Sequence, residues 1–202
     1  EEMGRDGYRD VDYVLTTRES SRLIKRHDLD LKDLPTHKPY GMLASYTGAG
    51  AIFGATGGVM EAALRTVSEI LEEKPTPIDF KDVRGHADIK EASYVINCQT
   101  INVAIVHGGI AIKMFLESLK TSSKKYHFVE FMGCTGGCIN GGGQPIVPAK
   151  IQEKVNVNEL RTNVLYHIDA NHTLRKSHEN NFVNELYASF LGKSNSHKAH
   201  EL

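Results

Sequence analysis

Two apolar runs and the segment between them constrain the fold of this chain more than any other feature. Ile101-Asn-Val-Ala-Ile-Val-His107 is apolar through its middle and stops at Gly108-Gly109. Ile110-Ala-Ile-Lys-Met-Phe-Leu-Glu-Ser-Leu119 then spaces its large apolar residues as a helix does, and Tyr126–Met132 is apolar again. A strand, a helix and a second strand in this order form a parallel βαβ unit with a right-handed crossover. A further strand at about 92–97, joined to the one beginning at 101 by a short turn over Cys98–Thr100, adds a hairpin. The fold class is α/β: parallel-sheet lobes flanked by helices, with an added hairpin and a C-terminal helical segment.

The rest of the chain supports that frame. Asp10–Thr17 reads as a short strand, Thr17 as an N-cap and Arg18–Arg26 as a helix with acidic Glu19 in its first turn. Leu34–Tyr40, with two prolines, is a loop. Tyr46–Leu71 runs from a glycine-rich half into an Ala/Leu/Glu-rich half, so it predicts a loop feeding a helix N-terminus. Gly48-Ala-Gly50 could begin a dinucleotide fingerprint, but Phe53 stands where the third glycine belongs. No Gly-Lys-Ser/Thr follows, which excludes a phosphate-loop triphosphatase. Pro75 and Pro77 mark the next boundary. After Pro148 the chain turns polar and helix-capable. Ser177 is the expected cap of a last helix over Phe182–Leu191, which Gly192 ends. The domain reading is a core lobe over about 1–150 and a helical segment over about 151–202.

With 202 residues the chain can bury a sizeable core. Its charge of −1, with scattered basic residues, points away from nucleic acid or an anionic membrane as main partner. No apolar run reaches the ~18–20 residues of a membrane span, and no signal peptide opens the chain. The expected location is cytoplasmic, with the periplasm left open. The opening Glu1-Glu-Met-Gly reads as processed, trimmed or part of something longer. Three cysteines cannot make a disulfide framework, which favours a reduced compartment and a metal or redox role. Cys98, in a strand-like context, reads as a small buried hydrophobe. His197, His200 and Glu201 read as solvated surface at a chain end.

Cys134-Thr-Gly-Gly-Cys138-Ile-Asn-Gly-Gly-Gly follows the strand ending at Met132 directly, the place where α/β proteins put ligands. Structural zinc wants two short-spaced pairs of Cys or His, and there is one pair here. A thioredoxin-like pair would have two residues between the cysteines, not three. A [4Fe–4S] cubane suits soft thiolates on a glycine loop that lets the backbone close in. It needs four ligands, however, and the chain holds three cysteines.

Glu130-Phe-Met-Gly-Cys134-Thr-Gly-Gly-Cys138-Ile-Asn-Gly-Gly-Gly-Gln-Pro145 resembles the third cysteine motif of the iron-only ([FeFe]) hydrogenases, Glu-x-Met-x-Cys-x-Gly-Gly-Cys-x-x-Gly-Gly-Gly-Gln-Pro. Asp10–Glu19, Tyr46–Arg65 and Arg175-Lys-Ser-His-Glu-Asn through Lys198-Ala-His are also similar to that family, so the resemblance spans essentially the whole chain. It implies an H-cluster, a [4Fe–4S] cubane bridged by a cysteine sulfur to a diiron subcluster carrying CO and CN. By the same resemblance Cys134 is a cubane ligand and Cys138 the bridging cysteine. Met132 lies beside the diiron unit, and Phe53, Gly54 and Val59 wall its diatomic ligands.

The family's first two motifs, Thr-Ser-Cys-Cys-Pro and Met-Pro-Cys-x-x-Lys-x-x-Glu, are absent. With them go two cubane ligands, the proton-relay cysteine and a cyanide-binding lysine. Gly133 and Thr135 replace the more usual Ala and Pro. The implied function is the C-terminal half of a hydrogenase catalytic domain, interconverting protons and electrons with H2 and exchanging electrons with a ferredoxin-like carrier. The implied partner is the remainder of that domain, and the chain by itself is expected to be inactive. The alternative is a non-catalytic relative, a hydrogen sensor or an iron–sulfur assembly protein, that binds a [4Fe–4S] cluster.

Overall fold

The computed structural model describes residues 4–5, 7–9, 11–37, 45–72, 79–194 and 196–201. Two-residue strands β1 (Gly4–Arg5) and β2 (Tyr8–Arg9) pair antiparallel. The strand expected over 10–17 is not formed among its described residues, which are irregular up to the start of α1 (Thr17–Arg26). The pattern is apolar enough, but among the described residues no strand pairs with it, and Tyr13 and Val14 are 88% and 85% exposed. The cap of α1 is Thr16, one residue before the expected Thr17. Its hydroxyl accepts from the Glu19 N–H while the Glu19 carboxylate accepts from the Thr16 N–H, a reciprocal capping box.

The glycine-rich stretch is more ordered than a loop. Thr47 caps a short helix α2 (Gly48–Ile52), a turn over 53–57 follows, and α3 (Gly58–Leu71) begins after Gly57, whose φ of +88° suits glycine. The boundary expected at Pro75 and Pro77 and the end of the proline loop, 38–40, lie outside the described residues.

The sheet forms as its sequence predicts, with one shift. β3 (Ile89–Ile96) and β4 (Gln99–His107) pair antiparallel from Ile89↔Val106 to Ile96↔Gln99. The hairpin turn is the two residues Asn97 and Cys98, at φ +47° and +60°, rather than Cys98–Thr100. Two left-handed residues are what a tight hairpin needs to match strand twist. Cys98 therefore stands exposed at the tip and is not the buried hydrophobe expected. After β4, α4 (Gly109–Leu119) crosses over and β5 (Phe128–Met132) pairs parallel to β4, from Val103↔Phe128 to His107↔Met132. The sheet order is β3-β4-β5.

β4 is apolar without alternation because both of its faces are covered. Val103 and Ile105 pack with Met60, Leu64, Phe80, Val83 and Ile96, while Ala104 and Val106 pack with Ala111 and Phe115. β4 is thereby the buried spine that delivers β5, and with it the cysteine loop.

The C-terminal segment is helical: α5 (Ala149–Gln152), α6 (Val157–Ala170), α7 (Asn181–Leu186) continuing as a π-helix to Leu191, and α8 (His197–Glu201). Gly192, at φ +87°, ends the π-turn as expected. Ser177 opens a separate 3-10 turn, and the cap of α7 is Asn180, whose side chain accepts from the Phe182 and Val183 N–H groups. His197 and His200 are exposed.

A buried ion network joins this segment to α3. Both carboxylate oxygens of Asp169 accept from Arg65, at 2.8 Å each, and Arg65 also donates to Glu61 at 2.6 Å. Arg84 donates twice to Glu61, and the Tyr166 hydroxyl donates to it at 3.0 Å. Arg175 reaches both Asp169 and Asp79. Burial works to raise the Asp169 carboxyl, but the two arginines override it and hold the group below its ordinary range. Asp169 also packs against Gly48, where any side chain would overlap it, so the network fixes α2 beside α6.

Candidate metal centre

β5 ends at Met132, and the loop that follows is held by its own backbone. The Gly137 N–H donates to the Cys134 carbonyl at 3.0 Å, a 3-10 turn runs over Cys138–Asn140, and the Gly141 N–H donates to the Cys138 carbonyl at 3.0 Å. Neighbouring side chains grip the loop's carbonyls. Arg161 of α6 donates to those of Ile139 and Pro145, at 2.8 and 2.9 Å. Arg18 of α1 donates to the Gly142 carbonyl through its guanidinium and to the Gly143 carbonyl through its N–H.

The same loop is zipped to the turn over 53–57. The Thr56 N–H donates to the Gly136 carbonyl at 3.2 Å, and the Ile139 N–H donates to the Gly54 carbonyl at 3.0 Å. Between those bonds Gly137 lies so close that a Cβ on it would sit 2.7 Å from the Gly54 oxygen and 2.8 Å from the Thr56 nitrogen. Its φ of +97° and ψ of −170° belong to a region that only glycine enters readily. Phe53 and Cys138 thus stand on either side of one backbone hydrogen bond. Both are exposed, Phe53 by 44%, while Ala55, Thr56 and Ile139 around them are buried.

The structure brings the sequence-predicted residues Phe53, Gly54, Cys134 and Cys138 together through this zipper. Met132, half-buried, ends β5 and accepts the Gly108 N–H at its carbonyl, and Val59, also half-buried, lies in the first turn of α3. Cys98 is far along the chain at the hairpin tip and joins no such group. Among the described residues no cluster of three or more His, Cys, Asp or Glu is arranged to hold a metal ion. A cavity of about 670 Å³ opens beside the loop, lined by Gly141, Gly142, Gln144, Lys154, Asn158 and Arg161 among others. Neither cysteine lines it.

Sequence reasoning assigned no task to three polar side chains that hold the two loops, the buried Glu130 and His107 and the half-buried Lys90. Glu130 of β5, 5% exposed, accepts from the Gly57 and Met60 N–H groups at 2.6 and 2.7 Å. Burial pushes its carboxyl up, against the pull of those N–H groups and of Lys90. Lys90 of β3 donates to the Gly85 carbonyl at 2.8 Å and reaches the Thr56 carbonyl at 3.4 Å. Burial pushes its ammonium down to about 8, against the pull of Glu130. His107, 1% exposed at the end of β4, accepts the Gly136 N–H at Nδ1, so Nδ1 is unprotonated. Burial, and after it Lys90, holds the ring below its ordinary value. The available signal was a Glu and a His set into the apolar parts of β5 and β4, where a polar group needs a partner; Lys90, in a strand that also holds Glu91 and Ser93, gave none.

A three-stranded mixed sheet whose last strand runs into a backbone-zipped glycine loop with two exposed cysteines defines the class as an α/β fragment with a two-thiol loop. Comparison with known proteins makes the class specific. Residues 1–142 match the family described as iron only hydrogenase large subunit, C-terminal domain, and residues 155–202 match iron hydrogenase small subunit. Iron hydrogenase 1 of Clostridium pasteurianum is 44% identical over 202 residues, covering 100% of this chain and 35% of that protein. Protein NAR1 of Arabidopsis thaliana is 33% identical over 141 residues, covering 67% of this chain and 30% of that protein. The solved structure of a variant of [FeFe]-hydrogenase HydA1 from Chlamydomonas reinhardtii superposes with a TM-score of 0.74 at 34% identity. That match covers 96% of this chain and 55% of the other. The chain belongs to the iron-only hydrogenase family, and it spans about a third of the length of the curated relatives it matches.

Proposed function

We propose that this chain is the C-terminal part of an [FeFe]-hydrogenase catalytic domain and supplies half of the protein ligands of an H-cluster. There protons and electrons are interconverted with H2. When bound, the H-cluster supplies cubane electron storage and a diiron centre that polarises H2. The observation that carries the reading is the backbone zipper, because its Ile139–Gly54 bond ties together the chain neighbours of Cys138 and Phe53, the residues expected to bridge and to wall the diiron unit. The donor chemistry fits as half of a site: two soft thiols on an exposed loop, with glycine backbone cleared of side chains around them. The other two cubane ligands and the proton-relay cysteine belong to the remainder of the catalytic domain, so this chain by itself is inactive.

Within that site Cys134 and Cys138 would hold the cluster, Cys134 as a cubane ligand and Cys138 as the thiolate shared with the diiron unit. Both ligate as thiolates, so each proton is released on binding. Met132, Phe53, Gly54 and Val59 form the wall, where apolar side chains keep water from the diatomic ligands and Gly54 lets the backbone approach. Leu160, Val164 and Ile168 leave an exposed apolar stripe along α6, suited to cover by the rest of the domain. A ferredoxin-like protein is the electron partner, and the cytoplasm is the location. No helix among the described residues is long and apolar enough to cross a membrane.

Infrared spectroscopy on the full-length protein containing this chain is the test. CO and CN bands are expected. A reconstituted protein with an intact [4Fe–4S] cluster and no such bands would instead support a sensor or an iron–sulfur assembly role, the latter favoured by the 32% identity over 148 residues to cytosolic iron-sulfur assembly component 3 of Pongo abelii. A stoichiometric, stable [4Fe–4S] cluster on the isolated chain would overturn the half-site.

A further inference from the structure

Each strand of the sheet sends one polar side chain to the two loops of the candidate centre: half-buried Lys90 from β3, and buried His107 from β4 and Glu130 from β5. Glu130 differs from the other two in what it joins. α3 is fourteen residues long, and its cap residue, Gly57, has no side chain to satisfy the free N–H groups there. The carboxylate that does so arrives from a strand more than seventy positions later, one oxygen on Gly57 and the other on Met60. The helix's positive end favours such a group. On its own strand Glu130 stands two residues before Met132 and four before Cys134. One short strand therefore carries both the cap of the wall and the start of the ligand loop.

We propose that Glu130 is a positioning residue: by capping α3 from the strand that runs into Cys134, it fixes the Phe53–Val59 wall against the Cys134–Cys138 loop. The clamp is read from geometry alone, and only what the two walls enclose rests on the H-cluster reading. A carboxylate is needed because both of its oxygens accept. Glutamine offers one acceptor oxygen, and its amide nitrogen would face a backbone N–H, two donors with nothing between them. Aspartate keeps the charge but withdraws the oxygens by one methylene.

The test uses the full-length protein with Glu130→Gln, which preserves side-chain volume where Glu130→Ala would leave a void. Amide exchange at Gly57–Met60 and at Gly136–Ile139 is expected to quicken together by about tenfold or more, with the amides around Asp169 in α6 unchanged. Glu130→Asp is expected to fall between. At unchanged iron content, the CO and CN infrared bands should shift or broaden, a signature that a merely stabilising residue would not move. Quickening confined to Gly57–Met60 would reduce Glu130 to a helix cap, and quickening throughout, α6 included, would reduce it to a general support. Either result, or no quickening at Gly57–Met60, or unmoved bands at full occupancy, overturns the proposal. If the unmodified protein shows no such bands, the H-cluster reading has failed, and the paired exchange response alone decides the clamp.

Discussion

Around Arg65 each charge named is answered by another and the innermost three are buried, whereas around Cys138 the reactive side chains are exposed and the backbone is what is tied down. The first region is closed: Glu61, Arg65 and Asp169 are sealed from water, and their hydrogen bonds run to one another and to Arg84, Arg175 and Tyr166. The second is open: backbone bonds fix the loop's path, and its thiols face outward. The difference separates two tasks. The network holds helices at fixed places, and the loop presents groups whose partners come from elsewhere.

Four changes probe that contrast, from the largest expected effect on stability to the smallest. Arg65→Met leaves Glu61 and Asp169 without their shared buried cation. It should cost about 3–5 kcal/mol, read from urea unfolding, and a loss below 1 kcal/mol would mean the network is not the organising contact described. Gly137→Ala forces a side chain into a glycine-only conformation and against the backbone of 54–56. It should cost about 2–4 kcal/mol and also lower iron retention, because it separates the two loops.

Lys90→Met tests the sheet side of the open region through pH. The folded-state ammonium titrates near 8 and the unfolded one near 10.5. Between those values the unfolded chain holds a proton that the folded one has released, so stability rises with pH across the window. The penalty is fully present below pH 8, and Lys90→Met should abolish a rise of about 1–3 kcal/mol. Guanidinium titrations at pH 7.5 and 10.5 check it, and equal slopes in both proteins would refute it. Cys134→Ser, at an exposed position, should change apo-protein stability by less than about 0.5 kcal/mol while iron and sulfide content collapse. A comparable loss of stability would show that the loop is not as independent of its thiols as drawn.

How much of this was legible in the sequence follows from how local each signal was. The β4-α4-β5 unit could be read because an apolar run, a Gly-Gly break and a helical spacing lie within about thirty residues and each obeys a local rule. The cysteine loop could be read because its residues carry the chemistry themselves. The strand expected over 10–17 failed because a strand requires a neighbour, and the side chains of Tyr13 and Val14 meet none. The hairpin turn slipped by one residue because Asn97, tolerant of the left-handed region, took the first turn position and drew Cys98 into the second. Glu61, Arg65 and Asp169 could not be singled out. Two of them share a helix turn as an ordinary surface pair would, and the third comes from a helix a hundred residues away. Glu130 was visible within the motif, yet its task depends on a helix end that is distant in the chain.

The ion network has a further consequence, for the electrostatic potential at the loop. Arg65, Arg84 and Arg175 are matched in number by Glu61, Asp79 and Asp169. A compensated cluster has no net charge to act at long range, and its residual field fades faster with distance than that of a single ion. This buried scaffold is therefore electrically quiet toward the cysteines. Its members can be exchanged in matched pairs to harden or soften the fold while the potential felt at Cys134 and Cys138 stays where Arg18, Arg161, Lys90, Glu130 and the loop's own dipoles set it.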